Sequence, residues 1–363
     1  MQPMYHVDTS ERPVVLIWEV TQACDLSCDH CRADAQPDRH PDELTTAEGK
    51  RLLEDAAAFG EGQLVVLSGG DPLVRDDIAE LVAYGDELGL RMTMTPSGTR
   101  SLSAERIEAL ADAGLRRLAV SLDGASAESH DAFRGETGSF AETIRAVEDA
   151  RNVGIPVQVN TTVCRETVGE LPAIRTLLTE LGAVMWSVFF LVPIGRGRVL
   201  EPIDPAEADA VMRWLAAVAE EEPFGLKTTE APHYRRVLAQ RSADDDSDAG
   251  GRAGVIAGDG FAFVSHAGEV FPSGFLPRSV GSVRERPVHE LYREAPLFGK
   301  LRDREALEGK CGACPYRTIC GGSRSRAYTH TGNPLASDPL CPYVPEGYDG
   351  PLPWERESPN PTA

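Results

Sequence analysis

Apolar positions along the chain fall into two alternating rhythms. Runs rich in β-branched and aromatic residues at 14–20, 64–67, 90–95, 118–122, 155–163 and 184–192 read as strands. Residues 45–59, 75–88, 103–113, 140–153, 168–181 and 205–220 carry apolar side chains at helical spacing. Local signals mark the ends: Thr45 with Glu48 forms a capping-box pattern, Gly114 follows the third helix, and Pro205 opens the last. Strands alternating with helices predict an α/β fold with a parallel sheet. Curled round, that sheet becomes a partial (β/α)6 barrel of the TIM type, with functional residues on the loops that follow the strands. An open doubly wound sheet satisfies the same periodicity.

Beyond the alternating region the pattern breaks. Residues 13–241 read as the barrel, preceded by a short segment at 1–12, and residues 242–260 as an acidic, Gly-rich linker or loop. A smaller unit follows at 261–345, with a hairpin near 261–271 and a short helix at 288–293. It is rich in Cys, Gly and Pro and too poor in apolar periodicity to fold without a staple. Residues 346–363 read as a tail.

Charge and composition narrow the functional classes. The 363 residues carry a net charge of −21, which repels phosphate backbones and argues against nucleic acid as a partner. No stretch reaches the roughly 20 apolar residues of a membrane span. The polar first residues lack the apolar run of an export signal, so the expectation is a soluble, cytoplasmic protein.

The eight cysteines are grouped: Cys24, Cys28 and Cys31 follow the first strand, Cys311, Cys314, Cys320 and Cys341 lie in the C-terminal unit, and Cys164 stands alone. A disulfide framework suits small secreted chains, so metal or cluster ligation is the better reading of the two groups. A closed zinc site takes four ligands. Three thiolates on a cubane iron–sulfur cluster leave one iron open to a small molecule. Cys164, in an apolar strand, reads as a core residue.

The spacing of Cys24, Cys28 and Cys31 and its place after the first strand resemble the signature of the radical S-adenosylmethionine (SAM) superfamily. The resemblance implies that these three cysteines hold a 4Fe–4S cluster whose open iron is chelated by SAM. Reductive cleavage of SAM would then give a 5′-deoxyadenosyl radical that abstracts a substrate hydrogen, with electrons from a low-potential donor such as ferredoxin or flavodoxin. His30 stands where the family usually has an aromatic residue near the adenine. Gly69-Gly70-Asp71-Pro72, preceded by Ser68, resembles the family's Gly-Gly-Glu-Pro segment at the SAM amino group, with Asp71 in place of Glu. Ser121 and Asp123 at the end of the fourth strand and Asn160 in the fifth match further positions that contact SAM in the family, and Gly195 after the sixth would allow close backbone approach to the adenine or the substrate.

The C-terminal quartet resembles the SPASM or shorter twitch domain, which implies a second, auxiliary 4Fe–4S cluster; structural zinc is the alternative. Segments 268–277 and 320–328 are similar to enzymes of haem b and haem d1 synthesis, although Ser273 and Ser323 stand where those proteins commonly carry Cys. Lys227, His233, Tyr234, Arg235 and Arg236, with Arg196, Arg198, Arg324 and Arg326, place cations beside the motifs of an acidic protein and suggest an anionic substrate. Of these, His233, Tyr234 and Arg235 are the candidates for proton handling and substrate contact.

The reading is therefore a radical SAM oxidoreductase acting on an anionic substrate, with oxidative decarboxylation of a tetrapyrrole as the favoured reaction. Modification of a ribosomal peptide is the alternative chemistry. A non-catalytic metal or iron–sulfur scaffold is the alternative of another class.

Overall fold

A computed structural model describes residues 7–244 and 254–355. Most of the acidic stretch expected as a linker, residues 245–253, lies outside the described residues.

The first half repeats strand and helix. β1 (Val15–Thr21) leads to α1 (Thr46–Ala57), β2 (Leu64–Gly69) to α2 (Ile78–Glu87), and β3 (Arg91–Met94) to α3 (Ala104–Asp112). β4 (Arg117–Ser121) is followed by two helices, α4 (Ala127–Arg134) and α5 (Ser139–Asn152). Then come β5 (Val157–Val163), α6 (Leu171–Leu181), β6 (Met185–Phe190), α7 (Pro205–Glu221), β7 (Gly225–Thr229) and α8 (Tyr234–Asp244). The remainder holds β8 (Ile256–Ala257), β9 (Gly260–Val264), β10 (Val270–Phe271), α9 (Val288–Glu294), α10 (Pro296–Arg302), α11 (Gly309–Gly312) and α12 (Arg324–Thr331).

The strands form one curled sheet in the order β10-β9-β1-β2-β3-β4-β5-β6-β7, with β8 beside β9. Every pairing from β9 to β7 is parallel, and β10 alone runs antiparallel, in the expected hairpin with β9. β9 joins the outer edge of β1, so main-chain bonds tie the Cys-rich unit to the barrel. Side-chain alternation separates the two faces. Leu16, Trp18, Leu67, Met92, Val120 and Trp186 are buried against the helices. Val15, Ile17, Val66, Thr93, Met185 and Phe189 face the concavity and stay half-buried. Among the described residues no helix is long and apolar enough to cross a membrane.

Three local departures have physical causes. The helix expected over 75–88 starts only at Ile78, because the buried Arg75 guanidinium donates to the carbonyls of Val20 (3.1 Å) and Leu44 (2.8 Å) and pairs with Asp77. α4 is a short polar helix set by its ends: the Ser126 hydroxyl caps the Ser129 amide, and Gly135 closes it at φ +70°. β7 is a short edge strand whose mixed sequence gives no alternating signal.

Candidate cluster and cofactor site

The loop after β1 folds back on itself. Cys24 N–H donates to the Gln36 carbonyl (2.8 Å) and Gln36 N–H to that of Gln22 (3.0 Å). Cys24 and Cys28 are buried with Leu26 and Ala35, and Cys31 packs on the same cluster. Amides point at the sulfurs: Leu26 N–H lies 3.4 Å from Cys24 Sγ, and Ala35 N–H 3.4 Å from Cys31 Sγ. The Ser97 hydroxyl sits 3.2 Å from Cys24 Sγ. Burial pushes the Cys24 and Cys28 thiols up, so thiolates there need positive charge beside them. None of the cysteines is in a disulfide. Among the described residues no three His, Cys, Asp or Glu side chains converge on a single ion; a cubane shared among thiolates asks for wider spacing. The donor set, three clustered thiols with N–H groups aimed at the sulfurs, fits such a cluster.

The other strand ends close on this loop. Gly70 N–H donates to Thr21 O (2.9 Å) and Asp71 N–H to Ala23 O (2.7 Å). A Cβ on Gly70 would lie 2.2 Å from Ala23 O, and one on Gly69, at φ +145°, 2.2 Å from Thr21 O. Both glycines therefore allow β2 to seat the cysteine loop. The Asp71 carboxylate is occupied by the protein, accepting from Leu73 N–H (3.0 Å), Ser101 (3.2 Å) and Thr99 (3.4 Å). Ser68 lies beside Glu19 in the β1–β2 register. Gly195, at φ +54°, comes so close to the Cys31 carbonyl that a Cβ would lie 2.5 Å away. Arg196 then clamps the loop, donating to the carbonyls of Cys28 (2.9 Å) and Ala35 (2.7 Å).

Beside the thiols three buried polar atoms have no hydrogen-bond partner: His30 Nδ1, Asp123 Oδ2 and Arg134 Nε. His30 stacks on Phe133 with ring centroids 4.5 Å apart, and burial drives its pKa down to about 4, so the ring is neutral. Asp123 Oδ1 accepts from Thr162 N–H (2.7 Å), while Oδ2 faces Arg134 at 3.6 Å and His30 at 3.8 Å. Ser121 and Asn160 are register partners on the concave face nearby, and Asn160 accepts from Gln158. The orphan atoms suit a polar ligand laid beside the thiols, which is where the resemblance puts SAM. Arg134 escaped the sequence reading; its only signal was the Ser126-capped polar helix that carries it.

The C-terminal quartet also comes together. Cys311, Cys314, Cys320 and Cys341 line one cavity with Arg236 and Lys310. Gly322 N–H lies 3.4 Å from Cys320 Sγ and Asp338 N–H 3.4 Å from Cys311 Sγ. Burial raises the Cys314 and Cys320 thiols, and Cys341 to about 11. Four thiols ringed by amides and two buried cations fit a fully ligated cluster.

The 233–235 group lies deeper than a substrate contact would. His233 is fully buried, edge-on to Phe190, with Nδ1 3.8 Å from Asp338 and a pKa driven down to about 3 by burial. Tyr234 is buried, with its phenol raised to about 12. Arg235 donates to the carbonyls of Ile319 (3.2 Å) and Val255 (3.1 Å). Arg324 and Arg326 likewise bind backbone carbonyls, and Arg326 pairs with Asp338. Ser273 and Ser323, with Ser325, donate to the Glu230 carboxylate, and Glu230 holds φ +55° just beyond β7. Cys164 is buried and sits by Thr167, as a core residue should.

Comparison with known proteins follows the same lines. The profile of the Radical SAM superfamily matches residues 18–178. The chain is 41% identical to an AdoMet-dependent heme synthase of Methanosarcina barkeri, over 92% of this chain and 97% of that one. It is 30% identical to a PqqA peptide cyclase of Gluconobacter oxydans, over 92% and 91%. Streptococcus suis SuiB bound to S-adenosylmethionine shares the fold, with a TM-score of 0.73 at 18% identity, covering 92% of this chain and 78% of SuiB.

Proposed function

From the premise that this chain belongs to the radical SAM superfamily, we propose that it oxidatively decarboxylates an anionic tetrapyrrole. It is a radical SAM enzyme whose cofactors are a 4Fe–4S cluster and SAM. Cys24, Cys28 and Cys31 would hold the cluster, and His30, Asp123, Asn160 and the Gly69–Gly70 backbone would cradle SAM. When bound, these groups supply a 5′-deoxyadenosyl radical, and the Cys311, Cys314, Cys320 and Cys341 site supplies a second redox centre.

The chain's own residues then have three tasks. Arg196, Gly195 and Gly70 fix the cysteine loop against the ends of β2 and β6. Arg134 places positive charge beside the thiolates, and its neighbour Asp123 keeps the guanidinium in place. The half-buried Val15, Ile17, Val66, Met185 and Phe189 give the concave face apolar positions for the body of the substrate. On the substrate, loss of a hydrogen atom from the carbon next to the carboxyl-bearing one leaves a radical. That radical loses carbon dioxide and becomes an alkene, and the one electron released would pass to the second redox centre held by Cys311, Cys314, Cys320 and Cys341.

The carrying observation is the near full-length 41% identity to a haem synthase, against 30% to the peptide cyclase. The test is an anaerobic assay with reductant, SAM and iron coproporphyrin III, followed by mass spectrometry of the porphyrin. Propionates converted to vinyls support the reading. SAM cleavage with every propionate intact overturns it.

A further inference from the structure

The cations that suggested an anionic substrate are mostly engaged inside the protein. Arg196, Arg235, Arg324 and Arg326 bind backbone carbonyls, and Arg236 pairs with Asp209. Arg91, Arg117 and Lys227 differ: among the described residues, none of their side chains has a hydrogen bond or ion pair to the protein. Strand register puts them on one face. Ser121, Asn160, Ser187 and Lys227 are successive Cα partners across β4, β5, β6 and β7. Arg117 lies four residues before Ser121, and Arg91 two before Thr93, the register partner of Arg117, so both share that concave face.

The curled sheet turns these positions toward one concavity. Lys227 is open to solvent, yet surrounding protein and then the Arg117 charge lower its pKa to about 8. Arg117 is lowered in turn by burial and then by Arg91. β4 and β7 are separated by two strands, so their cations interact because the sheet curls both toward one lumen. Among the described residues no acidic side chain forms an ion pair with them. Of the acids bordering this face at the strand ends, Glu19 is held by Arg32 and His266, Glu230 by the three serines, and Asp123 lies beside Arg134 and His30. The same face carries the half-buried apolar side chains of Val15, Ile17, Val66, Met185 and Phe189. Lys227 is exposed and Arg117 half-buried, so water now solvates these cations and an incoming anion can replace it. A ligand with an apolar body and peripheral carboxylates meets both features.

We propose that Lys227 and Arg117 are specificity-determining residues that recognise a substrate carboxylate in the barrel lumen. This rests on the tetrapyrrole reading above and adds the residues that choose the acid. The test uses holoenzyme carrying both clusters, titrated anaerobically with iron coproporphyrin III and with its tetramethyl ester. The parent protein should prefer the acid by about tenfold or more. Lys227→Met and Arg117→Met should each weaken acid binding about tenfold and bind acid and ester alike, raising KM far more than they lower kcat. Lys227→Arg, which keeps the charge, should recover most of the preference. Acid binding by both Met variants within about twofold of the parent overturns the assignment. If the parent decarboxylates the porphyrin while the variants are unaffected, this inference alone fails. If the parent neither binds nor decarboxylates it, the substrate reading fails and takes this one with it.

Discussion

Arg134 and Gly70 shape the candidate cluster site at Cys24, Cys28 and Cys31. Arg134 is buried beside three thiols and faces an otherwise unpaired oxygen of Asp123. Replacing it with Met strands that buried carboxylate, and breaking such a pair costs about 3 kcal/mol or more. Chemical denaturation of Arg134→Met should show this loss, and the variant should bind SAM more weakly by isothermal titration. Gly70→Ala acts by sterics alone, since its Cβ would overlap the Ala23 carbonyl. Iron and sulfide per chain should fall at the first site while far-UV circular dichroism stays near that of the parent. Unchanged cluster content would show that the loop yields easily.

Among elements, the cysteine loop and the C-terminal quartet make separable predictions. The quartet lines its own cavity, held by α11, α12 and the loop to Cys341. Cys311→Ala should lower bound iron by about four atoms per chain and leave the first cluster's absorbance. Zinc in place of the lost iron would show that the second site is structural. The β strands and long helices of the barrel were legible in the sequence because each packs one face against a continuous core, which imposes a period. α4 and β7 were not. One is polar and fixed by its caps, the other is an edge strand whose mixed side chains face a concavity as well as the core. Those two elements carry Arg134 and Lys227, so the weakest sequence signals mark residues central to the site.

Across the whole molecule, burial of neutral histidine sets the acid limit. His233 has a pKa of about 3 in the fold against 6.5 as its ordinary value. The unfolded chain therefore binds more protons between those values, and stability present above pH 6.5 is lost as pH falls toward 3. Asp338, lowered to about 2 chiefly by Arg326 against the opposing effect of burial, adds a second loss below its ordinary 3.8. A His233→Phe variant should show a flatter dependence of denaturation midpoint on pH between about 4 and 6. A slope equal to the parent's would remove His233 from this account.

What the chain determined by itself is what neighbours in sequence can encode: the βα rhythm, the caps, the two cysteine spacings and the Gly-Gly turn. These depend on backbone periodicity and on ligands close along the chain. The tertiary structure decided which cations are free. A guanidinium's fate depends on which carbonyls reach it across tens or hundreds of residues, as Val255 and Ile319 reach Arg235. The same curling leaves the Lys227 and Arg117 side chains on one concave face, without an ion-pair partner among the described residues. Electrostatic need arises from distances that only the folded sheet sets.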